Sequence, residues 1–293
     1  MCSGRKPNPI PKGASKKSKR VWWTAKLLCA LGLLYLALRW FEWKQTYQPS
    51  RRLVSSIDEI SPDGLDFQVL SGGRYHLQTW FMPATPEAAY KDWVLILAHG
   101  NAGNLSHRQS LYQTWLHLGF NVLTFDYRGY GSSEGRPSEA GTYEDLRAVM
   151  AWAQDKGYSR ERIVLLGKSL GGGVVSEVAK DGNAAGLILH STFTSIPDVG
   201  AELFPFLPVR LLSTIRHDTC AKLHELELPV LILHSPEDSL IQFHHAERNF
   251  EAARIPKWLR ETSGDHNDPE WERVRSLEPA IQSFMEHLTS IQP

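Results

Sequence analysis

The sequence predicts an α/β fold: a mostly parallel central sheet with helices on both faces and a small cap, preceded by an N-terminal membrane helix. Three observations carry this expectation. Short runs that are apolar throughout recur between helical stretches, as strands buried on both faces require. One run stops at a glycine-flanked serine followed by a small-residue helix pattern. A single long apolar segment lies near the N-terminus, apart from all of these.

Residues 1–20 carry Arg5, Lys6, Lys12, Lys16, Lys17, Lys19 and Arg20 with no acid, and read as a basic disordered tail. Removing these seven from 32 basic residues leaves 25 against 32 acidic ones, so a formal net charge of zero hides a body near −7. An acidic body argues against a nucleic-acid partner. Residues 21–43 read as a transmembrane anchor. Its unbroken apolar run is Leu27–Leu38; Lys26 and Arg39 flank it, and Trp22, Trp23, Trp40 and Trp43 suit the two interfaces. Counted that way the helix reaches ~30 Å. A cleaved signal peptide and an interfacial helix are the rivals, although no small-x-small cleavage site follows the run. Basic residues are denser before the segment than after it, despite Lys44, Arg51 and Arg52, which places the N-terminus in the cytoplasm.

Residues 44–60 read as a linker and residues 61–293 as the globular domain. Asp66–Leu70 and Tyr75–Phe81 alternate around Ser71-Gly72-Gly73, a hairpin signature. Buried strands are expected at Trp93–Ala98, Asn121–Phe125, Ile163–Leu166, Gly186–Leu189, Pro229–Leu233 and Trp258–Glu261. Helices are expected at Leu105–Leu118, Ser138–Lys156, Leu170–Lys180, Phe243–Ala253 and Pro269–His287. Residues 193–223 break the alternation with Pro197, Pro205 and Pro208 among Phe204, Phe206, Leu207 and Leu211. They read as a small cap over the site or as a buried connecting helix. Cys2, Cys29 and Cys220 form neither a disulfide framework nor a zinc pattern.

The chemistry gathers at the strand ends, where open parallel sheets place functional groups. Gly167-x-Ser169-x-Gly171 puts a serine on a sharp strand-to-helix turn, with the amide of Leu170 at the start of a helix. His99-Gly100-Asn101-Ala102-Gly103-Asn104 is a glycine-rich loop whose Asn101 amide can approach an oxyanion opposite Leu170. A tight turn that merely needs glycine is the other reading. Asp126 and Arg128 are expected to pair and fix a neighbouring loop. A serine hydroxyl needs a base, and the base needs an acid to orient it. Asp238 is the acid of choice, with Glu237 its nearest alternative, and His266 is the base. His244 and His245, adjacent on a helix, are expected on a solvated face rather than as metal ligands.

Taken together, His99–Asn104, Asp126-Tyr127-Arg128-Gly129-Tyr130-Gly131, Gly167–Gly172, Asp238 and Gly264-Asp265-His266 resemble the α/β-hydrolase superfamily. Within it they are similar to the membrane-anchored serine-hydrolase branch related to the yeast bud-emergence protein and to prolyl-oligopeptidase-like hydrolases. The similarity runs from about Asp66 to the C-terminus. It implies a Ser169–Asp238–His266 triad, amides of Asn101 and Leu170 as the oxyanion hole, and no metal or organic cofactor. Two departures stand out: Ser235-Pro236 where relatives carry a glycine, and His190-Ser191 where many carry an acid. The expected function is cleavage of a carboxylic ester or thioester through an acyl-enzyme, with a small acyl or lipid-like substrate near a membrane. A histidine base of ordinary pKa, about 6.5, predicts activity rising through that pH. A serine peptidase or amidase with the same triad is the alternative; a non-catalytic membrane-tethered binding module is the reading from another class. The oligomeric state is not legible in these residues.

Overall fold

A chain whose apolar runs have no polar face can bury them only in a sheet covered on both sides. The computed structural model, which describes residues 16–268 and 274–291, has that arrangement. The chain divides into two units, Met1–Gln45 and Thr46–Pro293. In the first, the helix α1 (Lys16–Thr46) runs for 31 residues, about 45 Å, long and apolar enough to cross a membrane. Leu27, Leu28, Leu31, Leu33, Leu34 and Leu36 along it are each more than half exposed. Lys16–Arg20, expected in a disordered tail, are helical; residues 1–15 of that tail lie outside the described residues.

The second unit runs β1 (Gln48–Pro49), β2 (Leu65–Ser71), β3 (Tyr75–Met82), β4 (Tyr90–Ala98), β5 (Ala102–Gly103), α2 (Gln109–His117), β6 (Phe120–Phe125), α3 (Glu139–Asp155), β7 (Ile163–Lys168), α4 (Leu170–Val178) and β8 (Gly186–His190). Three short helices follow, α5 (Ile196–Leu203), α6 (Val209–Leu212) and α7 (Thr219–Leu223). The chain closes with β9 (Val230–His234), α8 (His244–Ala252), β10 (Lys257–Glu261) and α9 (Val274–Ser290). Eight strands form one sheet in the order β10-β9-β8-β7-β4-β6-β3-β2. It is parallel from β10 to β6, and β3 runs antiparallel to both β6 and β2. The start expected for the last helix, 269–273, lies outside the described residues.

Side-chain alternation sorts the parallel strands into two faces. Leu95, Leu97, Val164, Leu166, Ile188, Leu231 and Leu233 share one core with Tyr112 and Trp115 of α2 and Ile281 and Phe284 of α9. Leu146 and Val149 of α3 and Val174 and Val178 of α4 are buried outside that core, where α3 and α4 pack on β4 and β7. Each such fully buried side chain contributes about 1.5–3 kcal/mol over exposure. Every parallel strand therefore ends on the same edge, and that edge carries the site.

One expectation needs correction, and one alternative is decided. Residues 44–60 are not a free tether: α1 ends at Thr46, Tyr47 is fully buried, Gln48–Pro49 pair with Ala102–Gly103, and Ile57 joins the core. A two-residue strand has no periodicity to read, so composition alone made this stretch look like a linker. Residues 193–223 hold α5, α6 and α7 between β8 and β9, and Leu203, Phe206, Leu207, Leu211 and Leu212 stand exposed at their apex. The insertion is thus anchored by Phe193, Val199 and Leu223 but is not a buried connection.

Where the insertion returns to the core, His217 is fully buried. Its Nε2 lies 2.9 Å from Tyr47 Oη, and its backbone N–H donates to Glu139 Oε1 at 2.8 Å. Lys222 Nζ donates to Tyr143 Oη at 2.7 Å and to the Gly173 carbonyl at 3.0 Å beside it. Burial pushes the His217 pKa down to about 4 against the opposing pull of Glu139. The unfolded chain binds this proton near pH 6.5 and the folded one only near 4, so stability falls as pH drops through that window, by up to about 3 kcal/mol. His217→Gln is expected to flatten the Tm-versus-pH curve between pH 7 and 4.5; a slope unchanged from wild type would assign the acid lability to other groups.

Candidate active site

β7 ends at Lys168 and the chain reverses at once into α4. Ser169 sits in the reversal at φ +53° and ψ −116°, where non-glycine residues are seldom found. Glycines make room for it. A Cβ on Gly171 would lie 1.9 Å from the Ala98 carbonyl oxygen, on Gly172 2.1 Å from Thr192 Cγ2, and on Gly167 2.5 Å from Gly172 Cα. The Ser169 N–H donates to the His190 carbonyl and the Gly172 N–H to the Ser169 carbonyl, both at 2.9 Å. Leu170 opens α4, so its amide is among the donors that a helix N-terminus leaves unserved from within.

Two other strand ends deliver their side chains to this serine. Ser169 Oγ lies 3.1 Å from His266 Nε2, and His266 Nδ1 lies 2.7 Å from Asp238 Oδ2. The three residues are 8%, 7% and 4% exposed respectively. A carboxylate can only accept, so Nδ1 carries the ring hydrogen and Nε2 turns its lone pair to the serine hydroxyl. That arrangement can take a proton from Ser169 as the hydroxyl attacks an electrophile.

The Ser235-Pro236 departure still presents Asp238. The Asp238 N–H donates to the Ser235 carbonyl and the Glu237 N–H to Ser235 Oγ, both at 3.1 Å. Asp238 Oδ1 accepts from the amides of Leu240 at 3.0 Å and Ile241 at 2.7 Å. Burial pushes the Asp238 carboxyl up, but the His266 bond and charge and the Ile241 amide outweigh it and hold the pKa below its ordinary value. Glu237 is exposed and accepts the Gly264 N–H at 2.6 Å, so it shapes the loop carrying His266 and does not compete for its ring. His234 is a residue that sequence reasoning passes over. Fully buried, it bonds the Ile241 carbonyl at 2.7 Å and lies 3.6 Å from Asp238, and burial pushes its pKa down.

Over the serine lies the loop after β4: a Cβ on Gly100 would meet Ser169 Cβ at 3.5 Å. Every carbonyl from His99 to Gly103 accepts a hydrogen bond. Tyr127 Oη serves His99 at 2.8 Å and His99 Nδ1 serves Gly100 at 2.7 Å. Tyr130 Oη at 2.7 Å and the Gln48 amide at 3.0 Å serve Asn101; Arg108 serves Ala102, and the Ser50 amide serves Gly103 at 2.9 Å. The bonds from Tyr127, Tyr130, Gln48 and Ser50 have no local sequence signature, because they close the loop from distant parts of the chain.

Two pairings differ from expectation. Arg128 does not pair with Asp126. Its guanidinium grips Asp145 of α3 at 2.7 Å and Glu144 at 2.8 Å, while Asp126 turns inward to the Leu105 amide at 2.7 Å. His244 and His245 do not both face solvent: both Nε2 atoms reach Glu202 of α5 at 3.1 Å, and His245 is fully buried. The ligand-type atoms of this trio lie within 4.8 Å of one another. Hydrogen bonds already occupy these atoms. The rings stack at 4.4 Å and 29°, and both Nε2 atoms turn to the one carboxylate. The Thr194 N–H donates to His245 Nδ1 at 3.2 Å, which leaves the ring hydrogen on Nε2 for Glu202. The trio clamps α5 to α8.

Comparison with known proteins matches this fold. Residues 89–219 fit the family described as "Serine aminopeptidase, S33". An uncharacterized protein of Mycobacterium tuberculosis (strain ATCC 25618 / H37Rv) is 35% identical over 251 residues, 84% of this chain and 89% of that one. The Arabidopsis thaliana α/β-hydrolase domain-containing protein WAV2 is 31% identical over 254 residues, 78% of this chain and 82% of its own length. The chain belongs to the α/β-hydrolase family. Among solved structures this α/β-hydrolase is similar to a Pyrococcus furiosus esterase, with TM-score 0.66 and 19% identity over 83% of this chain and 98% of that one. It is also similar to Est1E of Butyrivibrio proteoclasticus, solved with ferulic acid, with TM-score 0.61 and 18% identity over 76% and 99%. The protein is an enzyme of the serine-hydrolase type.

The glycine contacts separate two substitutions in this hydrolase. Gly171→Ala drives a methyl into the Ala98 carbonyl and is expected to cost about 3 kcal/mol or more, lowering Tm by about 6–12 °C. Gly100→Ala meets only ordinary contacts, the nearest at 3.5 Å, and is expected to stay within about 0.5 kcal/mol of wild type. Calorimetry of the two variants in parallel checks the contrast, and equal losses would reject it.

Proposed function

We propose that this α/β-hydrolase is a membrane-anchored serine esterase or thioesterase acting through Ser169, His266 and Asp238. The observation that carries the reading is the run of contacts from Ser169 Oγ to His266 at 3.1 Å and from His266 to Asp238 at 2.7 Å, with the serine held at φ +53°. Ser169 Oγ attacks the acyl carbon while His266 Nε2 takes its proton and Asp238 steadies the imidazolium that forms. The amides of Asn101 and Leu170 receive the developing oxyanion. His266 then returns the proton to the leaving alcohol or thiol, and the acyl-enzyme is released by water that the same histidine activates.

An acyl substrate is supported by the apolar apex of the insertion, where Phe206 is 97% and Leu211 84% exposed. Membrane attachment is supported by the exposed leucines of α1 and by the basic residues before it, which favour an N-terminus on the cytoplasmic side. The description of the matched family favours a second reading, hydrolysis of amides or peptides by the same three residues.

Fluorophosphonate labelling of the full chain tests the nucleophile: wild type should label, and Ser169→Ala and His266→Ala should lose labelling and turnover by several orders of magnitude. Label retained in Ser169→Ala would move the nucleophile elsewhere, and a folded wild type that never labels would favour a binding module. Acyl p-nitrophenyl esters should be cleaved in preference to aminoacyl anilides; the reverse order would establish the peptidase reading. Phe206→Asp with Leu211→Asp is expected to cut cleavage of a long-chain ester in vesicles on the order of 100-fold, two apolar side chains' share of binding, while p-nitrophenyl acetate turnover changes less than twofold.

A further inference from the structure

His99 directly follows β4 and is fully buried, yet the reaction outlined above gives it no task. Its Nδ1 lies 2.7 Å from the carbonyl oxygen of the next residue, Gly100. A carbonyl can only accept, so Nδ1 is the donor. On the far side of the ring, Nε2 approaches Oδ1 of the equally buried Asp126 at 3.2 Å, without hydrogen-bond alignment. The rings of Tyr127 and Tyr130 pack on the imidazole with centroids 4.5 and 5.4 Å away. The ring is therefore held in one plane, and its donor is aimed at one atom.

That atom belongs to the peptide that joins Gly100 to Asn101. In a trans peptide the C=O and the N–H are rigidly opposed across one plane. Fixing the Gly100 oxygen thus fixes the direction of the Asn101 N–H. The flanking carbonyls of His99 and Asn101 are held by Tyr127, and by Tyr130 with the Gln48 amide. His99 alone among these groups grips the peptide that carries the Asn101 hydrogen.

We propose that His99 is a positioning residue: its Nδ1–H locks the Gly100–Asn101 peptide so that the Asn101 N–H stays aimed at the oxyanion. This rests on the reading of the Asn101 amide as an oxyanion donor. A donor set in place before the reaction stabilises developing charge without reorganising, and losing such a donor costs about 10²–10³ in kcat. Misaiming one costs part of that. The rival role is structural, a buried partner for Asp126 and no more.

Side-chain geometry separates the two roles. Asparagine places an amide nitrogen where Nδ1 stands, within reach of the Gly100 carbonyl, whereas glutamine places one where Nε2 stands, toward Asp126. With p-nitrophenyl acetate and the full chain, His99→Asn should keep kcat within about fivefold of wild type. His99→Gln should lose about 10- to 100-fold in kcat with KM within twofold. Affinity for a boronic acid transition-state analogue should fall by the same factor in His99→Gln alone. Equal activity of the two variants, or a glutamine variant better than the asparagine one, would overturn the proposal in favour of the structural role. Should either variant not fold, the wild type decides: long-range ¹H–¹⁵N correlation must find hydrogen on His99 Nδ1, and a ring bearing it only on Nε2 overturns the proposal. The underlying reading has its own control. The matching α-hydroxy acid at position 101 deletes the N–H and keeps the Gly100 carbonyl. Undiminished kcat there would show that Asn101 donates nothing, whatever His99 does; a loss there with an active His99→Gln would retain the donor and remove His99.

Discussion

The conformation of Ser169 is the constraint on which the rest of the site depends. A non-glycine residue at φ +53° costs on the order of 1–3 kcal/mol and persists only where its surroundings leave no alternative. Here the surroundings are backbone. Gly167, Gly171 and Gly172 bring β7, α4 and the end of β4 within distances that admit no side chain. The two bonds of the turn, to His190 and from Gly172, close it on both sides. Parallel strands buried on both faces make this rigid, because moving the turn would shift β7 between β4 and β8. The strain is thus offset by sheet packing far larger than itself.

The loop opposite the serine is rigid for a different reason. It has little secondary structure, only the two-residue strand β5, and it gains definition from five served carbonyls. Two of the donors are backbone amides of Gln48 and Ser50, which follow α1 within four residues. Tyr47, between them and the helix, is spent on His217, and His217 on Glu139. The first residues after the apolar helix are therefore part of the catalytic unit's internal bonding. A chain cut after them would remove the backbone donors that the carbonyls of Asn101 and Gly103 now use, and with them two of the bonds that define the loop.

How much of this was legible beforehand follows from which interactions are local. The strand end at Ala98, those at Lys168 and His234 to within two residues of the expected Leu166 and Leu233, and the helix start marked by Ser138 are announced by apolar runs and caps, signals that span a few residues. Ser169, Asp238 and His266 could be picked out of the sequence because the proposed triad has a fixed order along the chain, and the ends of β7, β9 and β10 offer a serine, an acid and a histidine in that order. What stayed hidden is non-local. Arg128 chooses Asp145 over Asp126 because α3 brings a buried carboxylate to it, and no spacing records that. His244 and His245 converge on Glu202 because α5 is folded against α8, although neighbours on an isolated helix diverge. The linker error has the same origin: two residues of strand have no period, so only the sheet partner defines them.

The insertion between β8 and β9 obeys the opposite logic from the elbow. Its base is held by polar contacts, Glu202 to the two histidines, Asp198 to Thr194 at 2.7 Å and to Arg210 at 2.9 Å, while its apex carries exposed Phe206 and Leu211. A soluble surface gains nothing from side chains of that size held in water by proline-bracketed turns, since each forfeits the stabilisation that burial would give. Natural sequences can carry such residues at little cost in folding, because the core beneath is closed without them. In the proposed function their chemistry bears on what this enzyme meets, whereas the chemistry of Ser169, His266 and Asp238 bears on what it does. The two parts of the chain are under separate physical constraints: side chains at the apex can change without disturbing the core, whereas the turn that holds Ser169 is locked by backbone contacts.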